Sequence, residues 1–168
     1  LDIGGGSSEW ITFDSSGLQS AESLPIGVVT LNERCVGDHR YTDESLDCLE
    51  RQVRRHFSPE ASGLNPMVVV GGTGTTLAAL DRELEDYRPE VVHGHRLSAA
   101  SIERHVERMS DRSFEELSRD PMIQSGREDV IVPGIKILQA GMNATEAEEA
   151  TVSDLGVLTG YLSERLNS

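Results

Sequence analysis

Asp2-Ile3-Gly4-Gly5-Gly6-Ser7-Ser8-Glu9 is the stretch on which the reading turns. A carboxylate stands where a strand ends, three glycines follow, and two hydroxyls precede a second carboxylate. Glycines admit positive φ and let a ligand approach the backbone with no Cβ between. Successive amides in such a turn form a concave nest for an anion, and Ser7 and Ser8 add hydroxyl donors. Asp2 suits Mg²⁺, which takes a carboxylate together with phosphate oxygens and water. The same letters also spell an ordinary glycine-rich hairpin with a solvated aspartate, because turns are the commonest use of glycine. The flanking Asp2 and the paired serines tip the reading toward phosphate and metal.

Outward from this stretch, Leu1 to Ile3 reads as a strand end, Glu9 to Phe13 alternates as a strand, and Leu18 to Leu24 does so more weakly. Asp14 to Gly17 is the turn between them. Met67-Val68-Val69-Val70 is continuously apolar, as in a parallel strand buried on both faces. It runs into Gly71-Gly72-Thr73-Gly74-Thr75-Thr76 and a helix through Leu77, Ala78 and Leu80. A loop that ends at a helix N-terminus favours an anion through the dipole and the free N–H groups. Leu77 stands where a dinucleotide fingerprint needs its third glycine, and no Gly-Lys-Ser/Thr follows, so neither standard nucleotide loop is present. Taken alone, this loop fits close packing of helix on strand as well as it fits a ligand.

The remaining elements follow from caps and periodicity. Thr42 caps a helix to about Phe57, with Leu46, Leu49, Val53 and Phe57 as its apolar stripe. Arg88 to Leu97 reads as a polar excursion. Ser98 caps a helix carrying Ile102, Val106 and Met109, and Ser113 to Glu116 is a capping box. Asp129 to Met142 is apolar nearly all round; its length favours a buried helix with Pro133 in the first turn. Thr151 to Ser153 gives a last short strand, and a closing helix is expected from Gly156 with Leu158, Tyr161, Leu162 and Leu166 inward.

With 168 residues, no repeats and no linker, the chain reads as one α/β domain. Its net charge of −14 argues against a nucleic-acid surface, which needs a basic face. It does not oppose an anionic substrate held locally by a metal and backbone amides. No apolar run approaches the ~20 residues of a membrane span, and the start lacks a leader pattern. Cys35 and Cys48 fit neither a disulfide framework nor a zinc spacing, so a reducing cytoplasm is expected. His93 and His95 lack a third ligand at metal spacing and read as packing residues. Arg127 with Asp129 reaches a phosphate in one reading and fixes a helix start in the other. Ser153-Asp154 reads as a turn.

The two loops together resemble the second lobe of actin-like phosphotransferases, and specifically the exopolyphosphatase/guanosine-pentaphosphatase family. The resemblance runs from Asp2–Glu9 through Leu24-Pro25-Ile26-Gly27-Val28-Val29, Gly71–Leu80, Val92-His93-Gly94-His95-Arg96-Leu97 and Gly126-Arg127-Glu128-Asp129-Val130-Ile131 to Val152-Ser153-Asp154-Leu155-Gly156. It implies a ribonuclease-H-like lobe of the actin-like ATPase superfold, a mixed sheet with helices on both faces, opposed across a cleft by a first lobe. It also implies Mg²⁺-dependent hydrolysis of a terminal phosphoanhydride in polyphosphate or guanosine pentaphosphate. Asp2 then is the metal-binding carboxylate, Gly4, Gly5, Gly6, Ser7 and Ser8 the phosphate loop, and Glu9 a second acidic group. Gly71, Gly72, Thr73 and Gly74 form the second loop. The Thr73-Gly74 pair stands where relatives often carry Thr-Ala, which adds flexibility.

The chain opens on Leu inside its strongest motif, so it is expected to be a fragment without the first lobe, which holds the water-activating glutamate. Alternatives kept open are an ATP-binding kinase lobe, a non-catalytic nucleotide- or polyphosphate-binding module, and assembly as a homo-oligomer.

Overall fold

A computed structural model describes residues 1–37, 39–57 and 66–156. Six strands, β1 (Asp2–Ile3), β2 (Ser8–Asp14), β3 (Gly17–Leu24), β4 (Met67–Val70), β5 (Arg96–Ser98) and β6 (Glu149–Ser153), form one sheet in the order β3-β2-β1-β4-β6-β5. β4 runs parallel to both β1 and β6, and the other pairs are antiparallel. This is the expected mixed sheet. Because β1 and β4 are parallel neighbours, the chain leaves both at the same sheet edge, and that edge receives both glycine loops.

The helices are α1 (Val28–Cys35), α2 (Asp43–Arg54), α3 (Gly72–Asp81), α4 (Pro89–Val92), α5 (Ala99–Ser110), α6 (Phe114–Leu117) and α7 (Ile131–Thr145). Side-chain caps stand where the sequence puts them. Thr42 Oγ1 accepts from the Ser45 N–H while Ser45 Oγ accepts from the Thr42 N–H. Ser98 caps α5, and Ser113 and Glu116 close their box. α2 ends at Arg54, short of Phe57, whose ring packs edge-on against Trp10 at 5.3 Å between centroids.

α3 and α7 lie on one face of the sheet, and glycine permits the approach. A Cβ on Gly74 would come within 2.9 Å of Val69 Cγ1, and one on Gly134 would strike the Thr73 side chain. Gly141 leaves room for Met67, Trp10 and Leu1 in the same way. Gly74 is therefore a packing residue between α3 and β4 rather than a source of flexibility. Ile135, Ile137 and Leu138 of α7 are fully buried, together with Val69, Leu77 and Val152. On the opposite face Asp2, Val68, Val70, Thr151 and Ser153 stay half-buried among the described residues. The closing helix expected from Gly156 falls on 157–168, outside the described residues.

Three features depart from the sequence reading. α1 was not foreseen, because Val28, Val29 and Thr30 are poor helix formers. α4 and the start of β5 occupy the expected polar excursion. The third is a correction: Cys35 and Cys48 are joined as a disulfide, Cα–Cα 5.4 Å. Their spacing carries no such signal; the pairing arises because the last residue of α1 packs against the sixth of α2.

One polar cluster ties the C-terminal end of α3 to β5 and α5. The Asp81 carboxylate accepts from Ser101 Oγ, lies 2.8 Å from His95 Nε2, and has His105 Nε2 at 3.4 Å. Burial works to raise the Asp81 carboxyl, yet the hydrogen bonds from Ser101, His95 and His105 together hold it below the usual carboxylate range. Burial lowers the His105 imidazole against the pull of Asp81. Both folded-state values lie below their unfolded ones, so both contributions are present at neutral pH and are lost on acidification. His105 acts from about pH 6.5 downward and Asp81 below about pH 4. Asp81→Asn should cost about 1–2 kcal/mol at pH 7 in thermal or urea unfolding. The gap between the two proteins should close as pH falls below about 4; a gap independent of pH refutes the ionic role of Asp81.

Candidate active site

The first loop is built by β1, its turn and the N-terminus of α1. Within the turn the Gly4 N–H donates to the Ser7 carbonyl at 3.0 Å. The Gly4 carbonyl accepts from Val28 N–H at 3.0 Å, and the Gly5 carbonyl accepts from Val29 and Thr30 at 2.9 and 3.3 Å. These are the first-turn donors that a helix cannot satisfy by itself. A trans peptide points its C=O and the following N–H in opposite directions. Fixing the Gly4 and Gly5 carbonyls on α1 therefore aims the Gly5 and Gly6 amides away from it. The amides of Gly5, Gly6 and Ser7 have no hydrogen-bond partner among the described residues, and Gly5 and Gly6 are exposed.

This clasp leaves no room for a side chain at Gly27, where a Cβ would meet the Gly5 carbonyl. It also corrects one expectation. Positive φ is absent from Gly4, Gly5 and Gly6 and occurs at Gly71, at +96°. The first-loop glycines serve close approach: a Cβ on Gly4 would lie 2.8 Å from the Ser7 carbonyl oxygen, whereas Gly6 has nothing within 4 Å.

The two serines separate. Ser8 is fully buried and its hydroxyl donates to the Ile26 carbonyl at 2.8 Å, which pins the strand to the segment leading into α1. Ser7 is half-buried and donates to Glu9 Oε1 at 2.8 Å. Glu9 also takes the Ser23 hydroxyl at 3.2 Å. Asp2 and Glu9 are register partners across β1 and β2 and so project from one face of the sheet. The Asp2 carboxylate takes no hydrogen bond among the described residues. It lies beside the second loop, with Oδ1 3.2 Å from where a Cβ on Gly71 would stand.

The second loop divides. Gly71 is the N-cap of α3, in a conformation that favours glycine, and with Gly72 it is half-buried. Thr73 and Gly74 are buried inside the helix and serve its packing. The Gly72, Thr73 and Gly74 amides lack hydrogen-bond partners among the described residues. Arg127 lies over Gly72, where a Cβ would coincide with its guanidinium, and makes no ion pair among the described residues. Asp129 does not share that position: it accepts from Asn32 Nδ2 at 2.7 Å and so holds α1. Arg127, Thr75, Gln124 and Tyr87 line a cavity of about 420 Å³ beside the loop. Burial and the Asp154 carboxylate push the Tyr87 phenol up to about 12. Gln124 and Tyr87 carried no motif in the sequence, since only folding brings them to the wall shared with Gly72 and Thr75 of the second loop. A larger cavity, about 600 Å³ between α2, α5 and α7, touches neither loop.

The histidines part company as well. His95 belongs to the Asp81 cluster, while His93 Nδ1 accepts from the Asp154 N–H. Among the described residues no group of three or more His, Cys, Asp or Glu could hold a metal ion alone, and no helix is long and apolar enough to cross a membrane.

A mixed sheet with two loops gathered at one edge defines a ribonuclease-H-like lobe of the actin-like superfold. The Ppx/GppA phosphatase family model matches residues 1–168, and the chain belongs to that family. A crystal structure of the Aquifex aeolicus family member superposes with a TM-score of 0.92 at 32% identity, covering 99% of this chain and 55% of that one. Exopolyphosphatase 2 of Mycobacterium tuberculosis is 27% identical over 95% of this chain and 53% of its own length. An exopolyphosphatase structure from Cytophaga hutchinsonii, 20% identical over 99% of this chain and 55% of its own, shares the fold at a TM-score of 0.85. The chain thus spans about half the length of these relatives.

The clasp makes unequal demands on two neighbouring glycines. Gly27→Ala should force the loop off α1 and lower stability by about 1–3 kcal/mol. Gly6→Ala should stay within about 0.5 kcal/mol of the parent. Equal melting temperatures for parent and Gly27→Ala would show that the clasp does not hold.

Proposed function

We propose that this chain forms one wall of a phosphoanhydride hydrolase acting on polyphosphate or guanosine pentaphosphate, with a first lobe of the same protein forming the other wall. The observation that carries the reading is the gathering, at one sheet edge, of two sets of unpartnered amides around the Asp2 carboxylate. Phosphoryl transfer asks chiefly for positioning and charge neutralisation, and preorganised donors provide both without reorganising.

In this reading the Gly5, Gly6 and Ser7 amides hold oxygens of the phosphate to be transferred. The Gly72–Gly74 amides and Arg127 receive a second phosphate of the chain. Glu9 positions the loop by fixing the Ser7 hydroxyl, and Ser8 anchors it from below. Activation of the attacking water is assigned to the first lobe, because Glu9 Oε1 already holds two hydroxyls.

The donor set fits Mg²⁺. Asp2 offers a hard carboxylate in a niche kept open by Gly71, and Mg²⁺ characteristically takes one or two carboxylates plus phosphate oxygens and water rather than an all-protein cage. When bound, the ion supplies charge neutralisation at the phosphate oxygens. With a net charge of −14 the lobe repels a polyanion at a distance, which makes that neutralisation more important. The cavity beside Gly72 supports the second reading, a lobe that binds a nucleotide in an actin-like kinase or as a regulatory module.

Calorimetric titration with pyrophosphate tests the site. Binding should require Mg²⁺ and vanish in EDTA, and Asp2→Asn should weaken the Mg²⁺-dependent affinity by roughly tenfold, about 1.4 kcal/mol. Gly6→Ala should weaken it without lowering the melting temperature. This chain alone should release no phosphate from polyphosphate, and adding the first lobe should produce Mg²⁺-dependent release. Equal pyrophosphate binding in EDTA, with Asp2→Asn indistinguishable from the parent, would remove the metal site from Asp2. ATP binding much tighter than pyrophosphate, with no hydrolysis by the two lobes together, would favour the kinase reading.

A further inference from the structure

We propose that Cys35 and Cys48 are a redox modification site whose disulfide holds α1, and through it the Gly4–Ser7 loop, in its ligand-ready geometry. The consequence for binding rests on the phosphate-loop reading; the mechanical claim does not.

α1 has eight residues, and a helix that short does not persist in water without external support. Its supports fall in three places. The loop carbonyls of Gly4 and Gly5 take its first N–H groups. Buried Leu31 and the Asn32 bond to Asp129 hold its middle. Cys35, its last residue, is bonded to Cys48 in the centre of α2. α2 is the firmer body: it has twelve residues, is capped by Thr42, and buries Leu49 and Val53. The disulfide thus ties the weak helix to the strong one at the end opposite the clasp. Opening it leaves the C-terminal turn of α1 free to fray, and fraying in so short a helix reaches the Val28–Thr30 donors within about two turns.

Both cysteines are half-buried, so a small thiol can reach them. Reduction is a two-electron exchange with a low-molecular-weight dithiol. Its thiolate attacks one sulfur, the Cys35–Cys48 bond breaks, and a mixed disulfide forms. The other protein sulfur leaves in that step as a thiolate, and the reductant's second thiolate then attacks the mixed disulfide at the reductant's own sulfur and displaces the protein sulfur first attacked. The reductant leaves as its disulfide, and the two protein sulfurs end as thiols. Oxidation by a small disulfide reverses the sequence.

Hydrogen exchange on the whole chain, oxidised and in excess dithiothreitol, tests this. On reduction the Val28, Val29 and Thr30 amides should exchange at least roughly tenfold faster, while Val69 and Leu138 in the core stay unchanged. The Cys35→Ser/Cys48→Ser double variant should show the fast pattern in both conditions, and reduction should weaken Mg²⁺–pyrophosphate binding several-fold in the parent only. The proposal is overturned if iodoacetamide labels both cysteines of the protein incubated with oxidised glutathione, or if the three amides exchange equally in both states. It is also overturned if exchange quickens while pyrophosphate affinity holds. Should pyrophosphate bind in neither state, the site reading fails instead, and the exchange comparison still decides the staple.

Discussion

The first loop of the candidate site depends on three hydrogen bonds between the Gly4 and Gly5 carbonyls and the Val28, Val29 and Thr30 amides. Each side of that contact solves the other's problem. The helix begins with β-branched residues and needs acceptors for donors that no preceding turn can satisfy. The loop needs its carbonyls turned one way so that its amides face the other. The contact leaves no space for a side chain at Gly27. It also spends the α1 N-terminus on protein rather than ligand, so the dipole available to an anion is that of α3.

The sheet supplies the second half of the arrangement. β1 and β4 are parallel neighbours with Asp2 beside Val70, and a parallel pair necessarily delivers its two following loops to one edge. The order of strands therefore places Asp2 next to Gly71 although sixty-odd residues separate them in the chain. Glycines at helix–sheet contacts keep this compact, since Gly74 and Gly134 let α3 sit against Val69 and α7 against Thr73. The proposed anion site is compatible with a strongly acidic chain because the attraction it calls for is local. Unpartnered amides and one arginine act at contact distance, whereas the net charge acts through screened solvent.

Much of this was legible beforehand. Caps at Thr42, Ser98 and Ser113 announced their helices because a cap is a short-range hydrogen bond between residues close in sequence. The apolar run Met67–Val70 announced a buried strand for the same kind of local reason. α1 stayed hidden because its stability comes from the loop, Leu31 and Asn32, none of which a propensity argument can see. The disulfide stayed hidden because spacing does not report which helices pack together.

The sequence by itself determined the family, the two loops and the carboxylate that precedes the first of them, since these rest on residue types and their order. Tertiary structure alone decided how those residues divide their work. Ser8 turned inward to Ile26 while Ser7 stayed near the surface, and Thr73 and Gly74 went to packing while Gly72 went to the cavity. It likewise separated Arg127 from Asp129, setting one over the second loop and the other on α1. The physical reason is the same in each case. A residue's type fixes which bonds it can make, but the direction of its side chain and the partner within 3 Å of it are set by long-range packing that local sequence does not encode.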